Sequence, residues 1–123
     1  IDIYLEKTDA GATAVLNNIF FDFDKDEVKE RSKTELNKVI RFLNENANVR
    51  VEIGGHTDSD GSADYNQQLS QRRAQSVVEY LVANGIDRKR LIQKGYGATQ
   101  PLKPNDSEAN KQINRRIEFK VIK

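Results

Sequence analysis

Apolar positions along this chain switch between a two-residue period and a helical one, and each switch marks a new element. From Val15 to Phe23 the run is strongly β-prone, with Ile19, Phe21 and Phe23 alternating against Phe20 and Asp22, the pattern of a strand buried mainly on one face. Asp24-Lys25-Asp26-Glu27 then makes a polar turn. Ser32, with Glu35 three residues on, fits a capping box, and Leu36, Val39, Ile40 and Leu43 follow at helical spacing up to Asn46-Ala47-Asn48. Val49, Val51 and Ile53 alternate with Arg50 and Glu52 in a short half-buried strand that runs into Gly54-Gly55-His56-Thr57-Asp58.

After a small polar loop, Ser59 to Asp64, a second helix is expected from near Asn66 to about Asn84. Its apolar set is Leu69, Ala74, Val77, Val78 and Leu81, and Asn84-Gly85 supplies the stop. Leu91 to Tyr96 reads as a strand, residues 98–110 with Pro101 and Pro104 as a long irregular crossing, and Ile117, Phe119 and Val121 as a last half-buried strand. The two strand–helix–strand links favour right-handed parallel crossovers. The predicted fold class is α/β: a two-layer sandwich with a mixed sheet.

Composition narrows the function. The 123 residues fit one domain, with 37% apolar residues able to form a small core. Twenty basic and nineteen acidic residues leave a net charge of +1, which lacks the basic excess of a nucleic-acid binder or of a polybasic membrane patch. Without cysteine there is no disulfide, zinc–thiolate site or cysteine nucleophile. No stretch approaches the roughly 18 apolar residues of a membrane span. Beginning at Ile1 without Met, the chain is read as a processed product or an excised domain, with any anchor or export signal upstream.

Candidate chemistry concentrates in the polar stretch Gly54 to Ser62, which follows a strand and precedes a helix, a junction where α/β folds commonly hold ligands. At about 100° per residue, Asn66, Arg73 and Val77 share a narrow sector at the border of the apolar stripe, while Gln71 and Arg72 point away from it. By spacing alone, Arg73 is an ordinary snorkelling arginine. Taken with Asp58, it offers one acceptor and one donor fork, which suits a zwitterion; the same two groups can equally form a plain salt bridge.

Two calcium-loop patterns fail. Asp22, Asp24 and Asp26 are followed by Glu27 in place of the required Gly and Lys33 in place of the closing Glu, and Asp58 and Asp60 meet Ala63 and Leu69 at those positions. His56, the single histidine, reads as a loop-bracing hydrogen-bond partner. No nucleophile set or phosphate loop is present, so an enzyme is not expected, and neither is a metal or cofactor.

Gly55-His56-Thr57-Asp58, Gly61-Ser62, Asn66, Leu69-Ser70 and Arg73-Ala74 together resemble the signature of OmpA-like peptidoglycan-binding domains. Phe20-Phe21-Asp22-Phe23-Asp24, Gly95-Tyr96-Gly97, Pro101 and Asn114-Arg115-Arg116-Ile117-Glu118 resemble the family's other blocks, in order. The resemblance covers roughly residues 15 to 122. It implies a βαβαβ-type topology plus a C-terminal strand over 15–123, with 1–14 as a lead-in segment. It also implies non-catalytic binding of the meso-diaminopimelate in the peptide stem of peptidoglycan, Asp58 taking the ammonium and Arg73 the carboxylate. Thr57, Asn66, Leu69, Arg115 and the turn at Phe23-Asp24 match family positions around the same pocket. The parent would be a Gram-negative outer-membrane or envelope protein tied to the wall from the periplasm, with membrane contact only through segments outside this chain. The alternative is an envelope protein–protein interaction domain on the same fold.

Overall fold

The computed structural model describes residues 13–16 and 32–122. Among these residues, four strands and three α-helices follow one another as β1 (Thr13–Leu16), α1 (Lys33–Glu45), β2 (Val51–Gly55), α2 (Ala63–Ala83), β3 (Leu91–Gly95), α3 (Glu108–Asn114) and β4 (Ile117–Val121). The sheet order is β1-β4-β2-β3. β2 and β3 pair in parallel, while β4 lies antiparallel between β1 and β2. β1, β2 and β3 therefore share one direction, the β2–α2–β3 link is a parallel crossover as expected, and the returning β4 makes the sheet mixed.

The core lies between the sheet and the helices. Val51 and Ile53 of β2, and Ile117, Phe119 and Val121 of β4, meet Leu36, Val39 and Leu43 of α1 and Ala74, Val77, Val78 and Leu81 of α2. All are at most a few per cent exposed. Phe42 closes one side, packed edge-to-face with Phe119 at a centroid distance of 5.4 Å. Arg90 caps the end of α1, donating to the carbonyls of Leu43, Asn46 and Val49.

Two glycines bring α2 down onto the strand ends. A Cβ on Gly55 would collide with the backbone carbonyl of Ser70, and one on Gly95 would come 2.5 Å from the Gln71 nitrogen. This contact fixes where the first half of α2, carrying Asn66, Leu69 and Arg73, sits relative to the loop leaving β2.

Several boundaries differ from the sequence reading. α2 starts three residues before Asn66, because Ser62 caps it by accepting from the Tyr65 amide at 3.1 Å. Ser32 already has helical dihedrals and makes no side-chain cap bond, so the capping box does not form there. The crossing expected over 98–110 gives way to α3 at Glu108, capped by Ser107 accepting from the Asn110 amide. Gln71 does not point away from the structure: its Oε1 accepts from the Gly95 amide at 2.7 Å, and Gln67 donates to the Gly95 carbonyl at 2.6 Å. The part of the first β-prone run from Asn17 to Phe23 lies outside the described residues.

Candidate functional site

The loop that leaves β2 is organised around Asp58. Its side chain is 7% exposed. Oδ1 accepts from the Asp60 amide at 2.8 Å, a local turn that short acidic side chains favour. Oδ2 accepts from Nε of Arg115, which stands at the C-terminal end of α3. The Asp58 carbonyl accepts from the Thr57 hydroxyl at 2.8 Å and from Nδ2 of Asn66 at 3.3 Å. Thr57 and Asn66 are both buried. The loop is thus pinned to α2 and to α3 through one residue.

Arg115 forks. While Nε holds Asp58, one terminal nitrogen donates to Oε2 of Glu108 at 2.9 Å. Burial works against the charged guanidinium, but the hydrogen bonds to Glu108 and Asp58 win and raise it above its ordinary value. One helical turn earlier, Lys111 pairs with Asp60 at 3.2 Å. Lys111 and Arg115, four residues apart on α3, therefore strap Asp60 and Asp58 of the loop.

Asn114 builds the floor beside them. Fully buried, its Oδ1 accepts from the Leu102 and Lys103 amides, and its Nδ2 donates to the Lys103 carbonyl and to Asn105. Arg116 faces the opposite way. It donates to Glu118 at 2.7 Å and to the carbonyls of Gln100 and Asn114.

Of the residues expected at the site, the structure brings Asp58, Thr57, Asn66 and Arg115 into direct contact. Leu69 is buried one turn after Asn66. Arg73 is half-buried on the same helical face, seven residues after Asn66 and so about 10 Å further along α2. Phe23 and Asp24 lie outside the described residues.

His56 departs from its expected role. Its ring makes no hydrogen bond, and its backbone pairs with Arg116 in both directions. Two residues after Gly54, the ring lies on the sheet face away from the helices, stacked on Tyr96 with centroids 4.8 Å apart. Tyr96 spans Gly54 and donates to Glu52 at 2.5 Å. Nε2 of His56 stands 3.4 Å from Glu118 without forming a hydrogen bond. Burial first, then the Arg116 charge, lower its pKa from 6.5 to about 4, against smaller opposing effects of Glu118 and Glu52.

Glu108 and Asn114 were not singled out as site residues from the sequence. Ser107 followed by an acidic first turn was the only local sign of α3, and nothing local points from Glu108 to Asp58.

The family model described as the OmpA family matches residues 20–115. Outer membrane porin F of Pseudomonas fluorescens is 41% identical over 104 residues, which is 85% of this chain and 32% of the porin, so the chain spans about a third of that relative. The peptidoglycan-associated lipoprotein of Burkholderia pseudomallei superposes with a TM-score of 0.77 at 27% identity, covering 84% of this chain and 87% of the other. The cell wall anchor of the T6SS from Pseudomonas aeruginosa superposes with a TM-score of 0.76 at 28% identity, covering 89% and 78%. A match over residues 20–115, together with this sheet order and the Asp58-centred loop, settles the kinship: the chain belongs to the OmpA family, whose peptidoglycan-binding members are structural, non-enzymatic proteins.

Proposed function

We propose that this domain binds the peptide stem of peptidoglycan by the free amino-acid end of meso-diaminopimelate, and so anchors an outer-membrane or envelope protein to the wall from the periplasm. The observation that carries the reading is the Asp58 carboxylate: nearly buried, held in place by its own loop, and facing a cation that is itself one-third exposed. An ammonium can take the position of Arg115 Nε on Oδ2. Arg73 supplies the second charge. Helical side chains lean toward the helix N-terminus, which favours a reach from Arg73 back along α2 toward Asn66. Thr57, Asn66 and Leu69 would line the wall between, and Phe23 and Asp24 are proposed as further ligand contacts.

Relatives named for the cell wall or for association with peptidoglycan support this reading, and relatives in the outer membrane support an envelope location. The test is co-sedimentation with purified walls. Asp58→Asn keeps a carbonyl for the Asp60 amide but loses the charge; together with Arg73→Ala it isolates the two ends of the ligand. One charge-assisted bond contributes about 1.5–3 kcal/mol, so each variant should bind diaminopimelate-type walls roughly ten- to a hundredfold more weakly. Walls carrying lysine, which lacks the second carboxylate, should bind the wild type more weakly. Equal pelleting of wild type and both variants would place the site elsewhere.

A further inference from the structure

We propose that Glu108 is a specificity-determining residue of this site, a relay that receives Arg115 when a ligand ammonium takes Asp58; the inference rests on the reading that Asp58 is the ammonium acceptor. Oδ1 of Asp58 accepts from the Asp60 amide and Oδ2 from Arg115, and with only 7% of the side chain exposed an ammonium reaches the carboxylate by displacing Arg115 Nε. Pulled off a buried carboxylate with no other partner, an arginine would compete to return. Glu108 removes that competition, because it already holds the other arm of the same guanidinium at 2.9 Å. Exposure grades along the relay: the Asp58 side chain is 7% exposed, Arg115 35% and Glu108 71%. Arg115 therefore moves outward, toward water and its second partner, and needs no new space.

Charge balance argues the same way. Around the loop, Asp58, Asp60 and Glu108 pair with only Lys111 and Arg115 among the described residues. Within this strap three carboxylates face two cations, and the ligand ammonium neutralises the remaining negative charge while the ligand carboxylate goes to Arg73. With Glu108 neutral, the cluster balances before the ligand arrives, and an ammonium becomes a surplus cation. The relay thus selects ligands with a free amino group over those whose amine is acylated. Glu108 is exposed and remote from the core, so its substitution leaves folding intact.

The experiment titrates isotope-labelled wild type, Glu108→Gln, Glu108→Asp and Asp58→Asn with meso-diaminopimelate, measuring Kd and following the Arg115 Nε–H signal by NMR. Half-exposed ion pairs are modest, so Glu108→Gln should raise Kd about three- to fivefold, with Glu108→Asp recovering part of the loss. In wild type the Arg115 Nε–H signal should shift on saturation as it leaves Asp58. A Glu108→Gln Kd equal to wild type, or an Arg115 signal unmoved at saturation, overturns the relay. If Asp58→Asn then still loses binding, the Asp58 reading stands without it. Wild-type protein that fails to bind, or Asp58→Asn that binds like wild type, overturns both.

Discussion

Arg115 and Asp58 are 57 positions apart in the chain, yet the guanidinium of one seals the carboxylate of the other at the mouth of the β2–α2 loop. The carboxylate is nearly buried and the guanidinium one-third exposed, so the pair is neither a surface ornament nor a fully desolvated bridge. Arg115→Ala should accordingly destabilise the fold by about 1–2 kcal/mol, below the 3–5 kcal/mol of a fully buried pair broken from one side. Asp58→Ala and the double variant complete a cycle in urea denaturation. A coupling energy near zero would mean that the two groups are held in place by other contacts.

Asn114 fills all of its hydrogen-bonding capacity on one segment, residues 102–105. Replacing it with Ala removes four hydrogen bonds between the buried Asn114 side chain and this partly exposed segment, each worth about 1 kcal/mol. Asn114→Ala is expected to cost about 2–3 kcal/mol, and hydrogen exchange at the Leu102 and Lys103 amides should accelerate more than the global loss explains. Uniform acceleration across the sheet would show that Asn114 supports the whole fold rather than this segment.

These two contacts also show what could be read before folding. Periodicity located α1, α2, the strands β2 to β4 and the shared face of Asn66 and Arg73, because burial against one sheet imposes a regular spacing. It misplaced Gln71, whose partner is a strand-end amide: a polar residue drawn inward by an unpaired backbone group leaves no apolar signal. α3 was missed for a related reason. Its one buried side chain is Asn114, so it carries no apolar stripe, and Pro101 and Pro104 made the whole segment read as loop. The ring of His56 was assigned a hydrogen bond because loops usually supply one, whereas Tyr96 and Gly54 supply a stacking slot.

Gly55 tests the packing that positions the site. A methyl group there meets the Ser70 carbonyl, which belongs to the α2 backbone and cannot swing aside. Gly55→Ala should cost about 1–3 kcal/mol by overpacking, or more if α2 resists the shift. Because the strain enters between β2 and α2, wall binding should fall further than the lost stability accounts for. A variant that is as stable as wild type would show that the helix is free to move at this point.

His56 makes stability depend on pH, and the sign follows from its environment. In the folded protein it stays neutral down to about pH 4, while in the unfolded chain it takes up a proton near pH 6.5. Between those values unfolding binds a proton, so stability is complete above the unfolded value and falls as pH drops toward the folded one. The decline should be about 2 kcal/mol between pH 7 and pH 5, a range in which most carboxylates remain ionised in both states. His56→Phe keeps a ring to stack on Tyr96 but cannot titrate, so its stability over the same range should be nearly flat. Urea midpoints for the two proteins at pH 5, 6 and 7 decide the point: parallel slopes would mean that His56 carries a proton in the folded state, with Glu118, 3.4 Å away, as its counter-charge.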